Sequence, residues 1–249
     1  MTALKVILAA AVAALLPLAT FGSPSSSEIL DQPLPEGNSW KFEVFLDDKE
    51  IGYHHFQLAS YGEARQLKSI ASFEYKLLFV RLFHYEHENR ETWNGDCLET
   101  INSKTDANGK PFQVEGRREI GEFRVADAQG GESLPECVMS FAYWNPSFLE
   151  QSRLLNTQSG EFQDIIVSEP VYEELEIRGE LRPSYRYRLA AGALNLDLWY
   201  SPDRQWLALE SEVEGGRTLR YVLKELPGDG ASALPRTVSL GPAMMERGL

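Results

Sequence analysis

The stretch FVRLFHYEHENRETW, residues 79–93, has the pattern of one long β-strand, and the rest of the chain is interpreted around it. Alternate residues of an extended chain point to opposite faces, so Tyr85, His87, Glu91 and Trp93 share one face. The other face carries the side chains of His84, Glu86 and Glu88. We expect the first set to face the interior and the second set to face water.

The residues around this stretch repeat the same alternation. In residues 40–46, Trp40, Phe42 and Val44 alternate with polar neighbours, which is typical of a half-buried strand. Asn94-Gly95 is a strong hairpin signal. The predicted strands are residues 40–46, 51–58, 66–77, 79–93, 97–104, 112–116, 119–126, 162–167, 171–178, 185–189, 194–200, 206–213 and 218–223, with a loop at 130–133.

Many short strands joined by turns predict an all-β fold. We expect one antiparallel sheet, strongly curled or closed into a barrel, because a long open sheet leaves exposed edges. One segment departs from this pattern. Asn145 before Pro146 is typical of a helix N-terminus, and Phe148, Leu149 and Leu155 follow at helical spacing. The sequence therefore predicts one short helix over residues 146–155, suited to covering one end of the sheet.

The first residues have the pattern of a secretory signal peptide. Lys5 precedes an apolar run over residues 6–21, and small residues follow, so we expect cleavage near Gly22. The alternative is an uncleaved membrane anchor, but the run is shorter than the ~20 apolar residues that span a bilayer. The predicted organisation is a signal peptide at 1–22, a flexible linker at 23–39, one β domain at 40–226 and a disordered tail at 227–249.

The chain is acidic, with a formal net charge of −13. Removal of residues 1–22 removes Lys5 and no acidic residue, so the mature chain has a net charge of −14. This charge argues against nucleic acid and anionic lipid headgroups as main partners. We expect an exported protein, periplasmic or secreted, without a stable membrane anchor after cleavage.

Cys97 and Cys137 are the two cysteines of the chain. In an exported protein two thiols more often pair than stay free, so a disulfide between them is one expectation. The alternative is a pair of small buried side chains. Neither cysteine lies in a Cys-x-x-Cys spacing, so a zinc site would need histidine ligands.

Several motifs resemble an exported bacterial family known only as a domain of unknown function. They are WKFEV at 40–44, IGYH at 51–54, FAYWNP at 141–146, LLN at 154–156, LDLWY at 196–200 and GRTLRY at 216–221. The resemblance covers about residues 40–226 and implies export and an all-β fold. It implies no activity, substrate, cofactor or catalytic residue.

His54, His87 and Glu91 are the candidates for chemistry. Strand alternation directs all three inward, and they would converge if the strands that carry them were neighbours. Two imidazoles and a carboxylate suffice for a three-ligand metal site with an open position, or for acid and base catalysis. The alternative is a buried, hydrogen-bonded histidine beside Glu91. The spacing matches no recognised motif, so the sequence names neither a cofactor nor a catalytic residue.

Large aromatic residues form the second set of candidates. Tyr85, Trp93 and Trp144 are suited to line the interior of a curled sheet, and Trp144 with Asn145 is expected at its mouth. The leading interpretation is a non-catalytic protein that holds a small apolar or amphipathic, lipid-like ligand inside the sheet. The alternatives are a metal-dependent or acid/base enzyme that uses His54, His87 and Glu91, and a structural partner-binding module with a filled core.

Overall fold

The structure is a computed structural model, and it describes residues 38–77, 80–127, 130–213 and 215–228. The predicted signal peptide, most of the predicted linker and most of the predicted tail lie outside these residues. The first strand begins at Asn38, so the last two residues of the predicted linker belong to the β domain. Among the described residues, no helix is long and apolar enough to cross a membrane.

The described residues form sixteen strands and one short 3-10 helix, Pro146–Glu150. In chain order the strands are β1 Asn38–Leu46, β2 Lys49–Tyr61, β3 Ala64–Leu77, β4 Val80–Asn94, β5 Cys97–Ala107, β6 Lys110–Glu119, β7 Glu122–Asp127, β8 Gly130–Pro135, β9 Arg153–Leu155, β10 Phe162–Asp164, β11 Ile166–Val167, β12 Val171–Ile177, β13 Glu180–Ala191, β14 Leu194–Tyr200, β15 Trp206–Val213 and β16 Arg217–Glu225.

Fourteen of these strands form one antiparallel sheet in the order β11-β13-β14-β15-β16-β1-β2-β3-β4-β5-β6-β7-β8, with β12 also paired to β13. Most neighbours are successive strands joined by short hairpins, such as the turn at Asn108 and Gly109, where both residues have positive φ as a type I′ turn requires. The pairing of β1 with β16 joins the two halves of the sheet in its middle.

The sheet is strongly curled but open, as the all-β prediction allowed. Phe73 on β3 and Tyr221 on β16 are three strands apart, which is roughly 14 Å in a flat sheet. Their ring centroids are only 6.3 Å apart, so side chains of one face meet across the curl. The described strand order ends at β8 on one side and at β11 and β12 on the other, so the sheet is not a closed barrel.

Gly52 in β2 marks a β-bulge. It pairs with Val44 and with Phe73, and the β1–β2 register shifts directly after Val44. Its φ is +150°, and a Cβ at this position would lie 1.9 Å from the carbonyl oxygen of Ser72. Only glycine therefore fits this close approach of β2 to β3.

Residues 136–165 connect β8 to β11, and we call them the covering segment. Val138 accepts a hydrogen bond from the Leu98 amide of β5, and the Tyr200 hydroxyl of β14 donates to the Tyr143 carbonyl. The segment thus contacts strands from both halves of the sheet and lies against its concave face. Phe148, Leu154 and Leu155 of the segment are fully buried there and become part of the core.

The predicted helix over residues 146–155 is too long. Asn145 caps the 3-10 helix and accepts a hydrogen bond from the Ser147 amide at 3.3 Å, but the helix ends at Glu150. Arg153–Leu155 is strand β9 instead, because Leu155 pairs with both Phe162 and Ser140. These tertiary pairings override the local apolar spacing that indicated a longer helix.

Two other local predictions were wrong. Residues 130–133 are not a loop, because Gly130–Pro135 is strand β8 and pairs with β7. The predicted strand over residues 162–167 is interrupted at Ile165. Its first part, β10, pairs with β9, and its second part, β11, pairs with β13. Both errors arise where pairing with another strand, and not local alternation, decides the structure.

The predicted disulfide between Cys97 and Cys137 is present, with a Cα–Cα distance of 4.9 Å. It joins the start of β5 to the start of the covering segment, so the segment is attached covalently to the sheet. Such a bond is typical of an oxidising environment.

Candidate functional site

The three residues that the sequence proposed as one site do not converge on one point, although His54 and His87 belong to one cluster. Strand β3 lies between β2 and β4, and Ala71 pairs with His54 on one side and with His87 on the other. Alternate strands lie about 9–10 Å apart, and Glu91 is four residues, or about 13 Å, along β4 from His87. The strands that carry His54 and His87 are therefore not neighbours, and convergence of the three residues depended on that condition.

The distances between these residues also argue against the predicted three-ligand metal site. No three histidine, cysteine, aspartate or glutamate side chains among the described residues are grouped closely enough to hold a metal ion. His54, His87 and Glu91 all belong to the described part of the chain, so they do not form the predicted three-ligand site. They belong instead to two separate groups of buried side chains.

The first group, which we call the Tyr–His cluster, consists of His54, Tyr85, His87, Tyr143 and Tyr221. His54 is held at both ring nitrogens, with Nδ1 3.1 Å from the Tyr221 hydroxyl and Nε2 2.6 Å from the Ser69 hydroxyl. His87 Nδ1 lies 2.8 Å from Thr105 Oγ1. The ring centroids of Tyr85 and His87 are 6.0 Å apart. Three strands, β2, β4 and β16, and the covering segment thus contribute to one cluster.

The Tyr–His cluster carries no charge at neutral pH. Burial lowers the pKa of His87 to about 4 and lowers the pKa of His54 well below its usual value, since a buried imidazolium is poorly solvated. Burial also raises the pKa of Tyr85, Tyr143 and Tyr221, and neighbouring phenols add to the shift for Tyr143 and Tyr221. The cluster is therefore a set of neutral imidazoles and protonated phenols.

Some polar atoms of this cluster have no hydrogen-bond partner within the described part of the chain. They are His87 Nε2 and the hydroxyl groups of Tyr85 and Tyr143, and none of these is among the fully buried unpaired atoms, so each keeps some accessible surface. Polar groups with such access are normally paired with water. These atoms are available to a polar group that enters from outside the protein.

An aromatic surface leads from this cluster to one end of the sheet. The rings of Phe83 and Tyr85 are parallel to within 5°, and Tyr85 also stacks on Phe73 at 5.3 Å. Phe83 and Tyr85 are only half-buried, although alternation directs them inward. We call this end the aromatic mouth, formed by Leu46, Tyr75, Phe83, Tyr85 and Leu219.

Two cations stand at the aromatic mouth, and both contact the Tyr75 ring. Lys49 Nζ and the Arg217 guanidinium each lie 4.5 Å from the ring centroid. Arg217 Nε also bonds Asp47 Oδ2 at 2.8 Å, and Lys49 Nζ donates to the carbonyl of Lys76 at 2.6 Å. Both cations therefore have partners on the protein.

The second group surrounds Glu91 at the opposite end of β4. The Glu91 carboxylate accepts hydrogen bonds from Asn89 Nδ2 at 2.9 Å, from Ser140 Oγ at 2.8 Å and from Trp93 Nε1 at 2.9 Å. Burial raises the pKa of Glu91, and the three hydrogen bonds oppose that shift. Because Ser140 belongs to the covering segment, this carboxylate attaches the segment to the sheet.

Trp144 and Asn145 lie near this second group and close that end of the sheet. Trp144 is buried and packs edge-on against Trp93, with ring centroids 5.5 Å apart, while the Arg65 guanidinium covers its ring at 4.7 Å. Asn145 Nδ2 donates to Asp96 Oδ1 at 2.9 Å. The prediction that Trp144 lies at a mouth was wrong, because the covering segment turns it into the core.

The sequence did not identify Tyr221 and Ser140 as site residues. Tyr221 was within reach of sequence reasoning, since it alternates with polar residues in a predicted strand. Tyr143 and Ser140 lie in the irregular covering segment, where no periodicity indicates the direction of a side chain. Their roles depend on where the segment crosses the sheet.

A surface cavity of about 610 Å³ lies on the outer face of β3 to β6. Its lining mixes opposite charges with a few apolar residues: Ile70, Glu86, Glu88, Lys104, Asp106, Pro111 and Gln113, together with His87, Thr105 and Phe112. Most of these side chains alternate with the inward residues of the same strands. The cavity is thus on the face opposite the Tyr–His cluster.

Sequence comparison places residues 42–224 in a family described as Domain of unknown function (DUF6134). The match covers most of the chain. The chain belongs to the DUF6134 family. No functionally curated protein matches the sequence. The match thus confirms the expected resemblance to a family of unknown function, and it brings no activity with it.

The DUF6134 chain is also similar in structure to a crystal structure of a beta-barrel-like protein of domain of unknown function DUF1849 from Brucella abortus. The TM-score is 0.52 at 8% sequence identity, over 78% of this chain and 98% of that chain. At this identity the likeness concerns the fold alone. It supports the curled, barrel-like all-β architecture of the DUF6134 domain.

Proposed function

We propose that this DUF6134 domain is a non-catalytic binding protein that holds a small amphipathic ligand at the aromatic mouth of its curled sheet. The observation that carries the proposal is the half-buried state of Phe83 and Tyr85. Their parity directs them inward, yet the hydrogen bond that attaches the covering segment to β4, from Ser140 to Glu91, lies at the other end of that strand. An inward aromatic surface is left partly open.

A ligand at the aromatic mouth would gain from two kinds of contact. Covering apolar surface contributes about 25 cal/mol per Å², and stacked aromatic rings offer a flat surface of this kind. Deeper in the sheet, Tyr85 and His87 offer unpaired hydrogen-bonding atoms. An apolar wall that leads to a few polar groups is typical of small-molecule sites.

The enzyme alternative has less support. Both ring nitrogens of His54 are occupied, and Glu91 contacts neither histidine. A general base must lie within hydrogen-bond reach of the substrate proton that it accepts, and a neighbouring group must orient it. His87 has an orienting partner in Thr105, but the lowered pKa makes it a weak base at neutral pH.

We further propose that the domain works outside the cytoplasm, in the periplasm or as a secreted protein. The Cys97–Cys137 disulfide supports this proposal, because structural disulfides persist in oxidising compartments. The signal-like pattern of residues 1–22 supports it independently. The acidic net charge favours an apolar ligand over nucleic acid as the partner.

The proposed function is tested by binding of the neutral fluorophore N-phenyl-1-naphthylamine to the delipidated, disulfide-bonded protein. We expect saturable binding with a rise in fluorescence. Phe83→Ala should weaken binding by about tenfold or more, since a central aromatic contact is worth about 1–2 kcal/mol. Leu82→Ala is the matched control, because Leu82 is 54% exposed and points away from the mouth.

Two results would contradict the proposal. One is the absence of saturable binding to the wild-type protein, which a completely filled interior would produce. The other is an equal effect of the Phe83 and Leu82 substitutions, which would place the probe on the outer face.

A further inference from the structure

The charge of the ligand can be inferred from the side chains that surround the Tyr–His cluster. Among the described residues, the buried polar side chains include no lysine and no arginine. Glu91 is the one buried acid in that set, and three donors of the protein occupy it. A charged group that entered this interior would lose its water without gaining an opposite charge, which costs several kcal/mol.

The unpaired atoms of the cluster indicate which polar group fits. The hydroxyls of Tyr85 and Tyr143 can each donate a hydrogen bond. His87 Nε2 donates or accepts according to whether Nδ1 accepts from or donates to Thr105. A carbonyl oxygen can accept from the phenols, and a hydroxyl group can both donate and accept. The cluster therefore suits an uncharged oxygen group.

The position of these atoms also indicates the orientation of the ligand. They lie behind Phe83, on the inner side of the aromatic mouth, where the hydrocarbon end of a ligand would leave them unpaired. Donors that lose their water without gaining an acceptor disfavour that orientation. At the mouth itself, Lys49 and Arg217 already have partners, so they do not require an anionic headgroup.

From this geometry we infer that the ligand is an uncharged lipid-like molecule whose ketone, ester or hydroxyl group enters first and bonds Tyr85, Tyr143 and His87. The inference rests on the proposed function and specifies its ligand class. The apolar remainder of the ligand lies along Phe73 and Phe83. Fatty acids and phospholipids in their ionised forms are poor ligands for this site.

The test compares ligands that share one chain and differ in their polar end. Dodecanol, methyl dodecanoate and sodium dodecanoate compete with N-phenyl-1-naphthylamine for the delipidated, disulfide-bonded protein at pH 7.5. We expect the alcohol and the ester to bind at least about tenfold more tightly than the carboxylate, since the carboxylate would be buried without a counter-charge.

Substitution of Tyr85 tests the contact itself. Tyr85→Phe keeps the ring and removes the hydroxyl, so it should weaken binding of dodecanol by about three- to tenfold. Far-UV circular dichroism and an unchanged midpoint of urea unfolding show that the variant is folded. Tyr53→Phe is the control, because Tyr53 is on the outer face and exposed.

The outcomes separate this inference from the function on which it rests. Saturable probe binding with dodecanoate as tight as dodecanol would overturn the neutral ligand class and leave the proposed function standing. If Tyr85→Phe bound dodecanol with unchanged affinity, the inference that the polar end of the ligand enters first and bonds Tyr85 would be wrong. Failure of the probe to bind at all would overturn the proposed function and this inference with it.

Discussion

Glu91 shows how a single buried acid is used in this interior. No cation contacts it among the described residues, and neutral donors from Asn89, Trp93 and Ser140 stabilise its charge instead. Because burial raises its pKa, the folded protein favours the protonated form more than the unfolded chain does. The stabilisation from this group is fully present below the unfolded pKa and is lost as pH rises through the folded pKa.

This linkage predicts a pH-dependent effect of Glu91→Gln. At pH 4.5 the variant should be less stable than wild type by about 1–3 kcal/mol. The NH₂ group of the Gln side chain is a donor, and it would face one of the three donors that now bond Glu91. The difference should shrink as pH rises to 8, because only the wild type acquires a buried charge. Urea unfolding at several pH values measures both free energies.

Glu176→Gln provides the control for this series. Glu176 is exposed on β12, and its replacement should change the free energy of unfolding by less than about 0.5 kcal/mol at any of these pH values. A Glu91→Gln difference that stayed constant from pH 4.5 to 8 would show that folding does not change the ionisation of Glu91.

At the scale of elements, the covering segment is attached to the sheet at several points. The disulfide and the Leu98–Val138 hydrogen bond hold its start, and the Ser140–Glu91 hydrogen bond follows closely. Further along, the Ser103 hydroxyl of β5 donates to the Thr157 carbonyl. A segment with little regular structure keeps its position because the sheet supplies its partners.

We predict that the paired substitution Cys97→Ser and Cys137→Ser lowers the free energy of unfolding by roughly 3–4 kcal/mol. The disulfide closes a loop with a sequence separation of 40, and its loss restores that conformational freedom to the unfolded chain. Guanidinium unfolding measures the difference. Reductant should destabilise the wild type by a similar amount and leave the double variant unchanged, and a reductant-insensitive wild type would contradict the prediction.

The elements differ in how far the sequence determines them. Strands such as β2 and β4 follow local alternation, so the inward directions of His54, His87 and Glu91 were predicted correctly. The length of the helix after Asn145 and the existence of β8 were not, because pairing with a partner strand, and not local alternation, decides them. Local patterns carry no information about such partners.

The same distinction explains which parts of the candidate site could be predicted from the sequence. His54 and His87 could be proposed from parity, but their separation depends on β3 lying between them. The contact of Ser140 with Glu91 joins residues 49 positions apart, and Tyr143 reaches the Tyr–His cluster only through the path of the covering segment. These contacts are set by the assembled sheet.

At the scale of the whole molecule, the open sheet has a protected centre and two exposed edges. We predict that amide hydrogen exchange is slowest in β16, β1, β2 and β3, which lie farthest from the two edges of the described sheet. Exchange should be fastest in β8 and β12, which lie at the edges of the described sheet. Exchange measured by mass spectrometry of peptic fragments tests this order.

Uniform protection from β8 to β12 would contradict this prediction, because it would mean that the edges are covered by further pairing in solution. Dilution of the sample serves as the control. Protection of the edges that depends on protein concentration would identify association between molecules as its source.

The pairing of β1 with β16 also affects the order in which the molecule can be made. Ribosomes release β1 early and β16 late, so the central ladder of the sheet must wait until residues 217–225 have emerged. Until then Phe42 lacks Trp206 and Tyr221, whose rings lie 4.3 and 5.8 Å from it in the finished core. The nascent chain therefore stays incompletely folded for nearly the whole of its synthesis, which is the state in which a protein can be threaded across a membrane.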